Sequence, residues 1–169
     1  MKKYAIIVIV LYKKYPNSCL GTIHNWREVR CETMSNGGKM GKAIIEELKR
    51  EFPEQEILAI GTNSIATSTM LKAGADYGAT GENPTIKAAK TADVIFGPVG
   101  IVIADSLYGE VTSPMAQAVG SSFAYKILLP VNRCGHFIVG VKELPLSEYV
   151  KLSVQHLKEK FLLQSCFKN

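Results

Sequence analysis

The chain has 169 residues, 47% of them hydrophobic and 21% charged, which fits one ordinary domain with an ample core. Its net charge of +5 is unevenly spread: residues 1–35 hold six Lys/Arg against two acids, the remainder fourteen against thirteen. The body is therefore near neutral, and a nucleic-acid-binding role would rest on the first segment alone. The four cysteines (Cys19, Cys31, Cys134 and Cys166) form no C-x-x-C pair. Such spacing argues against a zinc ribbon or a disulfide framework and fits a reducing cytoplasm.

The first apolar run, residues 4–12, is too short to span a bilayer and lacks a small-residue cleavage site after it. Its β-branched centre, Ala5-Ile6-Ile7-Val8-Ile9-Val10-Leu11, reads as a strand buried on both faces, with a signal-like segment as the alternative. Residues 12–35 carry no sustained period, although 27–33 alternate as an exposed strand would. At Asn36-Gly37-Gly38-Lys39-Met40-Gly41-Lys42 a glycine loop opens an amphipathic helix that Pro53 stops. Met40, Ile44, Ile45 and Leu48 form its apolar face.

Residues 56–60 read as a short strand. The turn Gly61-Thr62-Asn63-Ser64 leads from it into a helix that ends before Gly74. Residues 76–79 form another short strand, and Asn83 and Pro84 are expected as N-cap and first residue of the next helix. Residues 93–96 are a strand, residues 101–107 lean to helix, and Ser113-Pro114 starts a helix that ends at Gly120. Residues 126–131 and 137–141 read as strands, and Ser147 caps a last helix to about residue 162, leaving a tail. Strands alternating with helices predict an α/β fold with a mostly parallel sheet.

A dinucleotide fingerprint wants a strand, G-x-G-x-x-G opening a helix, and an acid about 20 residues on. Gly38 and Gly41 match the last two glycines, and Asn36 stands where the first would be. A glycine loop running into a helix N-terminus presents free N–H groups and the positive end of the helix dipole to a phosphate. The acid is missing. Thr62, Asn63 and Ser64 stand after the second strand instead, which favours NADP over NAD because no carboxylate would repel a 2′-phosphate. The bland alternative is a tight turn with no ligand.

A second constellation is the set of polar turns that an open parallel sheet would gather at the carboxyl ends of its strands. Gly97 and Gly100 join the cofactor-binding candidates there. Glu82, Asn83, Asp105, Asn132 and Arg133 are the substrate-binding candidates, Arg133 for its planar fork. Each alone is as well explained by a cap or a turn. Cys134-Gly135-His136 offers two ligand types and no third nearby, so no metal is expected. No His, Tyr–Lys or Ser–His pairing declares an acid–base catalyst, so catalytic residues are not assigned.

From residue 37 to about 160 the chain resembles a bacterial family designated domain of unknown function 3842. The resemblance rests on the segments 41–48, 60–68, 70–76, 78–83, 97–107 and 129–134, among them Ile60-Gly61-Thr62-Asn63-Ser64 and Leu129-Pro130-Val131-Asn132-Arg133-Cys134. It implies a Rossmann-like fold: a three-layer open sheet, mostly parallel, with helices on both faces. Members typically begin with a short apolar strand ending in Asp and a glycine-rich run. Here residues 31–36 stand in that place, Ser35 and Lys39 replacing glycines. Residues 1–35 are then either an altered leader or a displaced first strand followed by an insertion, with 36–162 the nucleotide-binding domain and 163–169 the tail. The expected protein is cytoplasmic and binds a small-molecule nucleotide, NADP or NAD, with no membrane partner; nucleic-acid binding through the basic N-terminal segment is the least favoured alternative. Self-association is left open. An NAD(P)-dependent oxidoreductase and a non-catalytic ligand sensor are the two forms this function can take.

Overall fold

The computed structural model describes residues 5–10, 38–131 and 136–166, with side-chain detail over 38–131 and 136–160. In chain order the elements are β1 (Ala5–Val10), α1 (Lys39–Glu51), β2 (Glu56–Gly61), α2 (Ser64–Lys72), β3 (Tyr77–Thr80), α3 (Glu82–Ala89) and β4 (Val94–Pro98). A 3-10 turn (Val99–Val102), a one-turn segment α4 (Ser106–Gly109), α5 (Ser113–Ser121), β5 (Tyr125–Leu129) and α6 (Leu146–Cys166) follow. The mixed α/β class expected from the alternating pattern is what the chain adopts.

The strands form one five-stranded sheet in the order β3-β2-β1-β4-β5. Every pairing is parallel: Ile7 of β1 lies opposite Leu58 of β2 on one side and Ile95 of β4 on the other. The β-branched run of β1 thus occupies the central strand, where both neighbours exclude water from its ladder. From β1 the chain steps outward through β2 to β3. It then returns past β1 to β4 and steps outward again to β5, so its direction reverses between β1 and β4.

Successive strand residues point to opposite faces, and they feed two separate cores. Ile57, Ala59, Val94, Phe96, Ile127 and Leu129 pack with Ile44, Ile45 and Leu48 of α1, Met70 of α2 and Val150, Val154 and Leu157 of α6. Ile60 and Ile95 pack with Ala88 and Ala89 of α3, Val119 of α5 and Ile101. The three large α1 residues are fully buried, and each contributes about 1.5–3 kcal/mol of transfer free energy.

Several local expectations are corrected. Asn83 is not a cap: α3 begins at Glu82, with Gly81 at the cap position at positive φ (95°). Pro84 is tolerated inside the first turn because the N–H groups there have no intrahelical acceptor anyway. The caps of α5 and α6 move too. Thr112, not Ser113, caps α5 and accepts from the Met115 N–H at 3.4 Å, and α6 begins at Leu146.

Residues 137–141 are not a strand but irregular chain and a turn, with Phe137 and Val139 80% and 85% exposed. An apolar, β-branched run alone does not make a strand where no neighbouring strand offers a ladder. Residues 101–107 are not one helix either. The 3-10 turn ends at Ile103 in an extended conformation, and the backbone then turns left-handed at Asp105.

Candidate functional site

Parallel strands present all their carboxyl ends at one edge, and the polar turns of the sequence lie there. Those turns follow Gly61 of β2, Thr80 of β3 and Pro98 of β4. The N-terminus of α1 opens at the same edge. Gly38 caps it with φ 73°, a conformation that non-glycine residues adopt with strain. Gly38 is also pressed against α2: a Cβ there would lie 2.9 Å from Cβ of Thr69. Gly41 is buried within α1. Lys42 forms an exposed ion pair along the helix with Glu46 at 3.7 Å.

The turn after β2 is set by hydrogen bonds. Asn63 Oδ1 accepts from the N–H groups of Ile65 (3.1 Å) and Ala66 (3.0 Å), so its side chain is engaged as the cap of α2. Thr67 Oγ1 lies within reach of the carbonyls of Asn63 (3.2 Å) and Ala79 (3.1 Å) and of Thr80 Oγ1 (2.7 Å). A hydroxyl has one proton to donate and two lone pairs, so this cluster ties β2, α2 and β3 together with little room to shift. Gly61 is locked beneath it: a Cβ would sit 2.6 Å from Thr67 Oγ1 and 2.8 Å from the Asn63 carbonyl.

Residues 103–112, after β4, have the most unusual backbone among the described residues of the edge. Asp105, Leu107 and Tyr108 all have positive φ (57°, 56° and 60°), and Gly109 follows at 83°. For leucine and tyrosine this is costly, about 1–2 kcal/mol each. The turn is held by the Asp105 N–H to the Val111 carbonyl (2.9 Å), the Gly109 N–H to the Asp105 carbonyl (3.1 Å) and Ser106 Oγ donating to the Gly100 carbonyl (2.6 Å). Leu107 and Val111, both 1% exposed, anchor it in a small core of their own with Met115 and Ala116. Burying one such leucine yields about 1.5–3 kcal/mol, enough to offset one strained residue but not clearly three.

Side-chain bonds carry this segment across the edge. Thr62 Oγ1, beyond β2, donates to Glu110 Oε2 at 2.9 Å. Thr112 Oγ1 donates to Glu82 Oε2 at the start of α3. Because β1 lies between β2 and β4, the segment bridges the two neighbours of the central strand.

The residues read from the sequence therefore divide. Gly38, Thr62, Asn63, Ser64, Glu82, Gly97, Gly100 and Asp105 gather at the carboxyl edge. Asn83 lies inside α3, and Asn36, Gly37, Asn132, Arg133 and Cys134 lie outside the described residues. Glu110 and Thr112 escaped the sequence reading, since no local pattern marks a carboxylate or threonine that bonds across 30–48 positions.

Two carboxylates with a displaced pKa, Asp76 and Glu51, lie away from this edge, near the amino ends of the strands. Burial pushes Asp76 up, but bonds from Lys49 and the Ile57 N–H outweigh it, and its pKa falls below the usual carboxylate range. Glu51 is lowered mainly by the hydrogen bond and charge of Lys158. A groove of about 330 Å³ between α1 and α6, lined by Arg50, Leu152 and Lys158 among others, is also remote from the carboxyl edge.

Among the described residues no group of three or more His, Cys, Asp or Glu is placed to hold a metal ion. No described helix is long and apolar enough to cross a membrane. No curated protein and no solved structure matches the chain. The model of one family, described as a domain of unknown function (DUF3842), matches residues 34–162, most of the chain, and the chain belongs to that family.

Proposed function

We propose that this is a cytoplasmic, three-layer Rossmann-like protein that binds a nucleotide, NADP before NAD, at the carboxyl edge between β1 and β4. The observation that carries the reading is the strand order. An all-parallel sheet ordered β3-β2-β1-β4-β5 reverses direction between β1 and β4. In open α/β sheets ligands bind in the crevice outside the carboxyl ends at such a reversal. The N-terminus of α1 opens beside that crevice with Gly38 as its cap, suited by dipole and free N–H groups to a phosphate. The turn after β2 carries hydroxyls and an amide of its own, and a 2′-phosphate bound there would have to displace the Glu110 carboxylate from Thr62 Oγ1, which it meets at 2.9 Å. In an oxidoreductase the nicotinamide would supply the hydride chemistry, and this chain the binding and orientation.

A specific observation favours the second reading, a non-catalytic sensor. The edge carboxylates Glu82 and Glu110 each accept a threonine hydroxyl, an arrangement that fixes loops rather than moving protons. A thermal-shift panel with NADP, NAD, ATP, S-adenosylmethionine and RNA separates the readings. A bound nucleotide at 100 times its Kd stabilises by about 2.7 kcal/mol, a shift of several degrees for this length. A shift with NADP and nicotinamide turnover supports the enzyme, and a shift without turnover the sensor. Silence with every nucleotide overturns both.

A further inference from the structure

We infer that Glu110 is the specificity residue of the nucleotide site: its carboxylate selects for a free ribose 2′-hydroxyl and against a 2′-phosphate. The inference rests on the nucleotide reading above and sharpens it. A dinucleotide site of this kind reads the ribose with an acid at the end of its second strand, about 20 residues beyond the glycine turn. Here that place holds Gly61, Thr62, Asn63 and Ser64, none of them acidic. The fold nevertheless brings a carboxylate to it. Glu110 reaches across from residues 103–112, and its Oε2 accepts from Thr62 Oγ1 at 2.9 Å. The acid absent from the local sequence is supplied by a residue 48 positions further along the chain.

The turn lies close to the helix end suited to a phosphate. Gly38, the cap of α1, is pressed against Thr69 of α2, where an added Cβ would lie 2.9 Å from Cβ of Thr69. Thr69 follows Ser64, the first residue of α2, by only about 7.5 Å along the helix axis. Thr62 itself stands between two fixed residues. Asn63 caps α2 through the N–H groups of Ile65 and Ala66, and Gly61 has no room to move beneath Thr67. A carboxylate held on so rigid a turn opposes a 2′-phosphate on two counts: the two anions repel, and displacing the carboxylate breaks its bond to Thr62. A 2′-hydroxyl has a proton to give and suits the same carboxylate. NADP therefore enters ahead of NAD only with Glu110 drawn aside.

Dissociation constants of the full chain for NAD and NADP, measured by calorimetric titration, test the inference. Glu110→Gln removes the charge and keeps the shape, and its amide oxygen can still accept from Thr62 Oγ1. It should raise the affinity for NADP relative to NAD by about tenfold or more. Glu110→Arg offers a 2′-phosphate a planar donor fork and should move the ratio further in the same direction.

The inference is overturned if both variants keep the parent's ratio, because the carboxylate then takes no part in reading the ribose. It is equally overturned if the affinities for NAD and NADP fall by one common factor, as they would for a residue that only holds the turn. Either result leaves the nucleotide reading standing, since the parent still binds. A parent that binds neither nucleotide overturns the nucleotide reading, and the inference falls with it. A parent that binds, with a ratio that Glu110→Gln and then Glu110→Arg raise in turn, upholds both.

Discussion

Two turns at one edge of the sheet take the left-handed backbone by opposite means. At the start of α1 the residue is Gly38, which reaches φ 73° without a Cβ to obstruct it. After β4 the residues are Asp105, Leu107 and Tyr108, which reach similar angles against their own side chains. A glycine turn marks where the chain bends freely, and a run of non-glycine residues at positive φ marks where the rest of the fold compels the bend. The glycine turn is conspicuous in the sequence because its residue type declares it. The strained turn is silent there, since nothing about leucine or tyrosine announces positive φ.

The comparison also changes what a glycine substitution can reveal. Gly38 would be required here even with no ligand, because Thr69 occupies the space its Cβ would need. Loss of nucleotide binding in Gly38→Ala would thus not by itself identify a phosphate site.

The sharpest way to break the comparison is at the glycine side. Gly61→Ala should have the largest effect, a loss of about 2–4 kcal/mol in denaturant unfolding. The added Cβ meets backbone atoms of Asn63 and Thr67 as well as the Thr67 hydroxyl, and none of these is the free end of a flexible side chain. Gly38→Ala should follow, at about 2–3 kcal/mol. It combines positive φ with a contact on Cβ of Thr69, which side-chain rotation cannot relieve. If Gly38→Ala unfolds at the parent's denaturant midpoint, the two turns are not held as described.

On the other side, Tyr108→Gly should stabilise the protein, by up to about 1 kcal/mol, because it removes the steric penalty at φ 60°. A loss of stability instead would mean that the tyrosine ring contributes more than its backbone strain takes away.

The smallest effect is expected at Asp76, remote from both turns, and it supplies the baseline. Its Oδ2 accepts from Lys49 Nζ and from the Ile57 N–H, both at 2.7 Å. These bonds hold the folded pKa below the unfolded one, against the opposing pull of burial. The contribution is therefore present above the ordinary carboxylate range and is lost as pH falls through the depressed value. Since the carboxylate is partly exposed, it amounts to less than about 1 kcal/mol. Unfolding followed from neutral to acid pH should show this decline in the parent and a flatter profile in Asp76→Asn.

How far the fold was legible follows from the kind of signal each part carries. The apolar face of α1, the all-buried run of β4 and the glycine that ends α2 each state their structure locally, through period, β-branching or backbone freedom. The candidate site was legible only as a set of polar turns. A parallel sheet brings the ends of its strands together, so Thr62, Glu82 and Asp105 were expected at one edge. Their partners were not, because Thr62 bonds to Glu110 and Glu82 to Thr112 through chain reversals that no local pattern encodes.

The sequence by itself determined the α/β class, most of the elements, the α1 core positions and the near-neutral body, all of which follow from composition and short-range periodicity. It did not determine that residues 5–10 sit at the centre of the sheet, that residues 137–141 form no strand, or that residues 103–112 are bent left-handed across the edge. The first two depend on which strands find a ladder, and pairing is decided between segments far apart in the chain. The third depends on the burial of Leu107 and two hydrogen bonds to other elements. Such bonds form only once the sheet has brought those elements together, and only then can a local conformation be held against its own preference.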